Sequence, residues 1–537
     1  MSSVTLAETI VEGQAGADWP EGWTVTQLSN VCEINPPKPP KDFLPPNAPV
    51  SFVPMSAVDA DQGAIVAPQT KAFMEVRKGF TSFRNDDVIM AKITPCMENG
   101  KVAITRNLTN GVGFGSTEFH VLRPTGAVLP EYIYTFIRQE SYRRAAEAEM
   151  TGSVGQKRVP PSFLEMTEFP VPPLAEQVRI VEKVTELLNE VEASRERLNR
   201  VPRILKRFRQ AVLLAAGSGR LTENWRSTYE PTESAPDLYN RAQQLRAEKY
   251  ASDCESALSN GRRRPADPRK SERSGKQVVD LPEFPEQWGL YPLQDLAYLV
   301  TDGTHRTPTY LDKGIAFLSV KNVRPFRIRD EDIKRISPDE HREINLRCNP
   351  ATGDILYTKV GATFGYAALN RLPYPFSLFV SVALLKPVQE CFVPEYAEII
   401  LNSDIVYRQA ADRVSGSGTP DLHLIEIRDF RIPLPPLDEQ KEIVRCVNRL
   451  FELADAIGQR VARAQERTGR LTQSILAKAF RGDLLPTEAE LARREGREYE
   501  PASVLLQRIK GERNSATPST AKRTRSNGTL ASAKGKA

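Results

Sequence analysis

Two short motifs in this sequence resemble catalytic loops of enzymes, and neither is complete. The segment Asn35-Pro36-Pro37-Lys38 resembles the N-P-P-aromatic loop of amino-methyltransferases, whose aromatic ring stacks on an extruded base. A lysine cannot stack in that way, so we predict that this loop does not catalyse methyl transfer. The run 111–115 (GVGFG) resembles a cofactor-binding glycine loop but lacks a strand–turn–helix context. We interpret it as a tight turn.

Other catalytic signatures are missing from the sequence. No G-x-x-x-x-G-K-[ST] motif occurs, so we expect no P-loop ATPase or translocase activity. The histidines are isolated and have no metal-ligand spacing. They are His120, His305, His341 and His423. We therefore predict that the chain is not an enzyme, with no catalytic residues and no metal site.

Two loops rich in glycine, hydroxyl and amide groups are better suited to recognition. In such loops backbone N–H groups approach phosphates closely, while glutamine, lysine and arginine side chains reach phosphates or base edges. The candidate residues are Thr151, Gly152, Ser153, Gln156, Lys157 and Arg158 in the first loop, and Ser415, Gly416, Ser417 and Thr419 in the second. Lys92 and Lys359, each five residues after a matched aspartate, are similar candidates. A flexible surface loop is the alternative interpretation.

These loops belong to a long internal repeat. The sequence PPLAEQVRIV at 172–181 returns as PPLDEQKEIV at 435–444, with an offset of 263 residues. The Pro-Glu-x-Trp motif at 20–23 returns at 285–288, and Pro-Glu-Tyr at 130–132 returns at 394–396. The repeat is too long for a solenoid unit. It predicts two copies of one mixed α and β binding module, each running into a long helix.

Heptad-like patterns predict the two helices. The seams are formed by Leu174, Gln177, Ile180, Val184, Leu187 and Val191 in the first copy, and by Leu437, Gln440, Ile443, Val447, Leu450 and Ile457 in the second. Pro202 is predicted to end or kink the first helix. No proline interrupts 437–480, which allows one helix of roughly 65 Å. Each helix needs a partner, so we predict that the two pack antiparallel and set the separation of the modules.

Composition sets the remaining limits. A net charge of +5 does not by itself indicate nucleic acid, but the tail after Glu512 carries six Lys/Arg and no Asp/Glu. We interpret it as a disordered basic tail that either improves solubility or contacts DNA weakly. The N-terminus has no signal-peptide pattern, and no apolar run is long enough for a membrane span. The longest run, at 376–385, is predicted to be a buried strand. The six cysteines are scattered, so a reduced, cytoplasmic location is expected.

Several of these segments resemble the specificity subunits of type I restriction–modification systems. The segments 174–177 (LAEQ) and 437–440 (LDEQ) resemble the start of their spacer helices. The segment 473–482 (QSILAKAFRG) resembles their helix-ending signature, and 210–222 is its partner in the first copy. The segment 114–123 is similar to a stretch common in their target recognition domains, which adds Ser116 and Thr117 to the candidate DNA contacts. The long 217–283 connector departs from the pattern.

The resemblance implies an α+β chain, with two target recognition domains in a pseudo-twofold tandem repeat separated by an antiparallel coiled coil. The implied boundaries are 1–18 for an N-terminal extension, 19–170 and 284–433 for the recognition domains, 171–222 and 434–486 for the helical spacers, 223–283 for a charged linker, and 487–537 for a polar, basic tail.

The function implied by the resemblance is non-catalytic recognition of a two-part site on double-stranded DNA. Two methyltransferase subunits would dock on the helices and methylate adenine, and restriction subunits with a motor would cleave unmethylated DNA. S-adenosylmethionine, ATP and magnesium would belong to those partners, with no cofactor in this chain. Two alternatives stay open: a stand-alone protein that bridges two DNA segments, and an autonomous adenine methyltransferase.

Overall fold

The computed structural model describes residues 19–60, 63–153, 155–276, 281–414 and 420–516, which divide into two units. Unit 1 contains the described residues within 1–197 and 464–537, and unit 2 contains those within 198–463. Each unit therefore combines one predicted module with a segment of each long helix. Among the described residues, no helix is both long and apolar enough to cross a membrane.

Unit 1 contains two four-stranded sheets and a short two-stranded sheet. In spatial order, the first sheet contains the strands Gln69–Ala72, Pro49–Val53, Val112–Gly115 and Thr81–Arg84. The second contains Cys32–Ile34, Phe119–Pro124, Val88–Ala91 and Val102–Ile104. The two-stranded sheet pairs Thr24–Gln27 with Glu168–Val171. A minor hairpin pairs Val58–Asp59 with Ala64–Ile65. The module's helices are Leu28–Val31, Phe73–Val76, Pro130–Ile137, Glu140–Ala148 and Pro161–Met166.

Unit 2 repeats this plan with a shorter sheet. In spatial order, its four-stranded sheet contains Ala297–Asp302, Val382–Pro387, Ile355–Thr358 and Ala367–Leu369. Its three-stranded sheet contains Lys334–Ile336, Ile315–Leu318 and Phe376–Leu378. Two further strand pairs join Gly289–Pro292 to Arg431–Leu434, and Val323–Arg324 to Arg327–Ile328. Its helices are Glu223–Arg226, Ala235–Ser259, Pro338–Asn345, Pro394–Leu401, Asp404–Ala411 and Leu424–Arg428. The first and last strands of each module pair with each other, which brings the module's entry beside the start of a long helix.

Two local predictions are wrong. The run 376–385 is not one buried strand: Phe376–Leu378 and Val382–Pro387 belong to different sheets. The glycine run 111–115 is mostly a strand, because only Gly111 belongs to the preceding turn. A Cβ on Gly113 would lie 2.3 Å from the Phe83 ring, so this glycine permits close packing between strands.

The long helices run from Leu174 to Gly217 and from Leu437 to Arg481. In unit 2, a Cβ on Gly458 would lie 3.7 Å from Leu205, while Arg209 bonds to Asp455 at 2.6 Å. The residue order on one helix rises as that on the other falls, so the pair is antiparallel. In unit 1, Ile180 and Val184 share a core with Ile475, Leu476 and Phe480. The predicted antiparallel coiled coil is confirmed.

The first long helix does not end at Pro202, because it continues through this residue to Gly217. A proline inside a helix costs about 3 kcal/mol through one lost hydrogen bond and a steric clash. Beyond it, Val212, Leu213 and Ala216 are buried in the core of unit 2. Burying a large aliphatic side chain contributes roughly 1.5–3 kcal/mol, so this packing outweighs the cost.

The segments predicted as a charged linker, 223–283, and as a polar tail, 487–537, both contain packed helices. Helix Ala235–Ser259 begins at the N-cap Ser234 and buries Leu238 and Ala242 in the core of unit 2. Helices Glu488–Glu495 and Ala502–Ala516 follow the second long helix, and Ala502 and Leu505 enter the core of unit 1. Their buried stripes are narrow, so a polar composition concealed them.

Both units hold the start of a long helix through the same buried contacts. In unit 1, the Trp23 indole N–H donates to Glu176 Oε1 at 2.8 Å. The Gln177 amide accepts from the Leu129 N–H at 2.9 Å, and it donates at 3.0 Å to the carbonyls of Ala127 and Pro172. These bonds fix the helix on its module.

Unit 2 repeats the arrangement with the same distances. The Trp288 indole N–H donates to Glu439 Oε2 at 2.8 Å. The Gln440 amide accepts from the Val393 N–H at 2.9 Å and donates at 3.0 Å to the carbonyls of Cys391 and Pro435. We call these two sets of contacts the helix junctions.

Candidate nucleic-acid interface

Three segments of unit 1 that were predicted to bind DNA meet on one surface. The Lys92 N–H donates to the Glu118 carbonyl at 2.9 Å, and the Val159 N–H donates to the Lys92 carbonyl at 2.9 Å. The Thr94 N–H donates to the Lys157 carbonyl at 3.1 Å. Backbone bonds thus place Lys92, the turn at 116–118 and the loop at 151–158 side by side. We call this surface the unit 1 face.

The loop of the unit 1 face is solvent-exposed. Thr151, Gly152, Ser153, Gln156 and Lys157 are all exposed. The backbone of Gly152 has a φ of 127°, and a Cβ there would lie 2.9 Å from the Gln156 carbonyl oxygen, so the turn requires glycine.

The neighbouring turn is less open. Thr117 is exposed, whereas Ser116 is half-buried and its hydroxyl accepts the Glu118 N–H at 3.2 Å.

Arg158 closes this loop onto the neighbouring turn. Its guanidinium forms two hydrogen bonds of 2.9 Å to the Glu118 carboxylate, in the bidentate geometry that fixes both groups. The bond from Arg158 lowers the pKa of Glu118. One edge of Arg158 is therefore engaged inside the protein, although its side chain is 43% exposed.

His120 supports the unit 1 face from below. Its Nε2 lies 2.8 Å from the Val159 carbonyl, which can only accept, so Nε2 carries the proton. Its Nδ1 then accepts from the Asn35 amide at 3.1 Å, and Asn35 Oδ1 accepts the Val121 N–H at 3.0 Å. Burial lowers the pKa of His120. A neutral imidazole thus connects the loop to the sheet.

The corresponding surface of unit 2 has different chemistry. Lys359, the counterpart of Lys92, is buried and lies 3.5 Å from Asp302 Oδ2. This position contradicts the prediction that Lys359 contacts DNA, because a buried ion pair does not reach a phosphate. Asp421 forms an isolated β-bridge with Val360, and Arg158 forms the equivalent bridge with Ile93 in unit 1. An acidic residue therefore stands at the position that a basic residue occupies in unit 1. The predicted residues Ser415, Gly416, Ser417 and Thr419 lie outside the described residues.

The predicted seam residues of the long helices occupy several environments. Ile180, Val184, Ile443 and Val447 are buried, Leu187, Val191, Leu437, Leu450 and Ile457 are half-buried, and Leu174 is 38% exposed. Gln177 and Gln440 are fully buried in the helix junctions. The sequence pattern placed these glutamines in the seam, and every polar atom of both amides is used within their own units.

A serine–histidine pair occurs in unit 2 but is not placed for catalysis. His341 Nδ1 lies 2.8 Å from Ser377 Oγ. Ser377 is completely buried between strand Phe376–Leu378 and helix Pro338–Asn345, so a substrate cannot reach its hydroxyl. The pair fastens the helix to the strand.

Sequence reasoning missed the structural role of two repeated acids. The Glu176 carboxylate is buried against Trp23, a contact that the sequence pattern did not predict. Both the tryptophan and the glutamate recur in the second copy at nearly the same offset, which is the signal that could have linked them. The contact between Arg347 and Asp302 in unit 2 was also missed, and no repeated motif indicates it.

Comparison with known proteins identifies both modules. The family model described as the type I restriction modification DNA specificity domain matches residues 20–203 and 285–463. The chain is 30% identical over 402 residues to the EcoKI specificity subunit of Escherichia coli K12, covering 73% of this chain and 74% of that protein. It is 25% identical over 501 residues to the EcoAI specificity subunit of Escherichia coli, covering 88% and 84%.

Solved structures support the fold. The HsdS subunit from Thermoanaerobacter tengcongensis superposes with a TM-score of 0.55 at 20% identity, covering 88% of this chain and 99% of that one. A chain from a structural study of complex assembly and conformational transition of the type I R-M system gives a TM-score of 0.56 at 21% identity, covering 87% and 100%.

Proposed function

Because this chain belongs to the family of type I restriction–modification DNA specificity subunits, we propose that each of its two modules reads one half of a split DNA site and directs partner subunits to it. The observation that carries this proposal is the contrast within the repeat. The helix junctions are the same in both units, whereas the surfaces built from the candidate contact residues differ.

The unit 1 face has the groups that DNA recognition requires. Lys157 and the hydroxyl-bearing loop residues are exposed beside Lys92, so they can contact phosphates and base edges. The ion pair between Arg158 and Glu118 and the neutral His120 hold this loop in place. We propose Lys92, Ser116, Thr117 and the 151–158 loop as DNA contacts of unit 1.

The partners follow from the proposed function. We propose that two methyltransferase subunits dock on the long helices and methylate adenine with S-adenosylmethionine, and that restriction subunits use ATP and magnesium to cleave unmethylated DNA. The chain itself would transfer no methyl group and bind no cofactor. Exposed apolar residues of unit 1, Leu174 and Val178, give the first long helix a surface for such docking. A cytoplasmic location fits this role.

The test is to express the chain with and without its methyltransferase partner and to map methylated adenines by sequencing. We expect methylation at a two-part site only when both proteins are present. Methyl transfer by the purified chain alone would show an autonomous methyltransferase. Tight, site-specific DNA bridging without a partner would favour the architectural alternative.

A second experiment tests the independence of the modules. Residues 19–170 are replaced by the first module of another specificity subunit. The expected result is a new sequence in one half of the methylated site and an unchanged second half. A change in both halves would contradict independent reading.

A further inference from the structure

A cleft in unit 2 presents an arginine that the unit's buried ion pair does not need. The cleft has a volume of about 480 Å³ and lies between the loop 302–308 and the helix Pro338–Asn345. At its floor, the Asp302 carboxylate is only 2% exposed. Three basic side chains approach it: the buried Lys359, the more exposed Arg347, which bonds to Oδ1, and His305, whose Nε2 lies 3.4 Å from the same oxygen.

The Asp302 carboxylate is paired with more than one cation. The Lys359 ammonium, buried with Asp302, already neutralises the carboxylate at 3.5 Å. Arg347 adds a second positive charge, and 55% of its side chain is exposed. An arginine held by a buried carboxylate loses less conformational freedom when it binds a ligand. The cluster therefore presents a preorganised donor at the surface of unit 2.

The walls of the cleft are rigid. A Cβ on Gly303 would lie 1.9 Å from the Leu378 carbonyl oxygen, so the loop packs directly on a strand. The Thr304 N–H donates to the same carbonyl at 2.9 Å. On the opposite wall, His341 fastens the helix to Ser377, and the Thr309 N–H donates to Glu340 at 3.0 Å across the cleft.

The ligand chemistry follows from the rim of the cleft. Glu343 and Arg347 both line it, one helical turn apart, with Leu346 between them. Leu346 is 77% exposed, so this turn stands out from the surface. A phosphate would be repelled by Glu340 and Glu343. In the major groove, by contrast, guanine offers two acceptors that suit arginine, and cytosine offers an amino donor that suits glutamate.

We propose that the turn 343–347 reads a guanine–cytosine base pair in the half-site of unit 2. Arg347 donates to guanine O6 and N7, Glu343 accepts from the cytosine amino group, and Asp302 positions Arg347. This inference rests on the proposed function, and it places base recognition of unit 2 at a site outside the predicted contact residues.

The test uses the complete complex of this chain with its methyltransferase partner. Methylated sites are mapped for Arg347→Ala and Arg347→Gln. We expect Arg347→Ala to reduce discrimination at one guanine–cytosine position about tenfold or more, because a bidentate contact is lost. Arg347→Gln should shift that position towards adenine–thymine, since glutamine pairs with adenine. The half-site of unit 1 should not change.

Two further variants keep the test decisive. Arg342→Ala removes an arginine of the helix Pro338–Asn345, five residues before Arg347, that is 75% exposed and pairs with Asp339, so it should leave specificity unchanged. Glu343→Gln alters only an exposed side chain, and it should affect the same base pair as Arg347→Ala even if the latter impairs folding.

The outcomes separate this inference from the proposed function. If the wild-type complex methylates no two-part site, the proposed function fails. If it does so and the Arg347 and Glu343 variants keep its specificity, only the assignment of the turn 343–347 fails. A uniform loss of binding to all sequences, with a weaker dependence on salt, would indicate a phosphate contact and also overturn the assignment.

Discussion

Units 1 and 2 agree where a module meets a long helix and differ where each presents its candidate reading surface. The tryptophan–glutamate bond measures 2.8 Å in both units, and the glutamine contacts match equally well. On the surfaces, by contrast, Asp421 of unit 2 stands in the place of Arg158, and Lys359 is buried where Lys92 is half-buried.

The difference shows which residues the fold requires. A buried amide or carboxylate must satisfy every donor and acceptor around it, so one substitution in a helix junction leaves several groups unpaired. An exposed loop residue has water as an alternative partner. Surfaces can therefore diverge to read different bases, while the junctions keep both modules attached to the helices.

The largest expected effect comes from changing the helices alone. Inserting four residues after Glu192 adds about one helical turn, which lengthens the helix by roughly 6 Å and rotates the seam by only ~40°. DNA rises ~3.4 Å per base pair, so the gap between half-sites should grow by about two base pairs. Both half-site sequences should persist. Mapping of methylated sites checks this, and an active variant with the original gap would show that the helices do not set the separation.

The next prediction tests the helix junctions. Gln177→Leu leaves the Leu129 N–H and the carbonyls of Ala127 and Pro172 without partners, so we expect unit 1 to lose roughly 4 kcal/mol of stability. Gln440→Leu should have the same effect on unit 2. Hydrogen exchange of the Leu129 and Val393 amides measures each loss separately. Glu182→Ala, an exposed change on the first long helix, is the control, and unequal responses of the two junctions would contradict their equivalence.

A smaller effect should distinguish the two buried carboxylates. The Glu439 carboxylate accepts hydrogen bonds from the Thr222 hydroxyl at 2.7 Å and from the Arg226 guanidinium. Glu439→Gln removes one charge of this buried ion pair, so it should lower the stability of unit 2 by about 3 kcal/mol.

The Glu176 carboxylate instead accepts a hydrogen bond from the Glu488 backbone N–H at 2.8 Å, and burial raises the pKa of Glu176. Glu176→Gln should therefore cost only about 1 kcal/mol at neutral pH. Chemical denaturation with hydrogen exchange for each unit makes the comparison. An equal loss of stability in both units would mean that the different hydrogen-bond partners of the two carboxylates have no energetic consequence.

Sequence patterns predicted the repeat and the long helices, because periodicity and repeated motifs report buried stripes directly. These patterns failed where tertiary packing determines whether a segment is helical or which residues meet. Pro202 remains helical because downstream burial outweighs its cost, and helix Ala235–Ser259 was concealed because few of its residues are buried. The cluster of Asp302, Lys359 and Arg347 joins three distant segments, which a single sequence cannot bring together.

The smallest predicted effect is a pH dependence confined to unit 1. His120 is neutral in the fold and its pKa lies below 6.5, whereas Ala383 occupies the corresponding strand position in unit 2. A lowered pKa means that the unfolded chain takes up the proton first as the pH falls. The stabilising contribution is therefore complete above pH 6.5 and is lost on acidification, by at most about 1.4 kcal/mol per pH unit.

Hydrogen exchange of the segment 151–159, corrected for its intrinsic pH dependence, should show more opening at pH 5.5 than at pH 7. His120→Gln should remove most of that difference, because glutamine has no titrating proton in this range. If the variant keeps the full wild-type pH dependence, another group is responsible and His120 does not connect the loop to the sheet in the way its hydrogen bonds indicate.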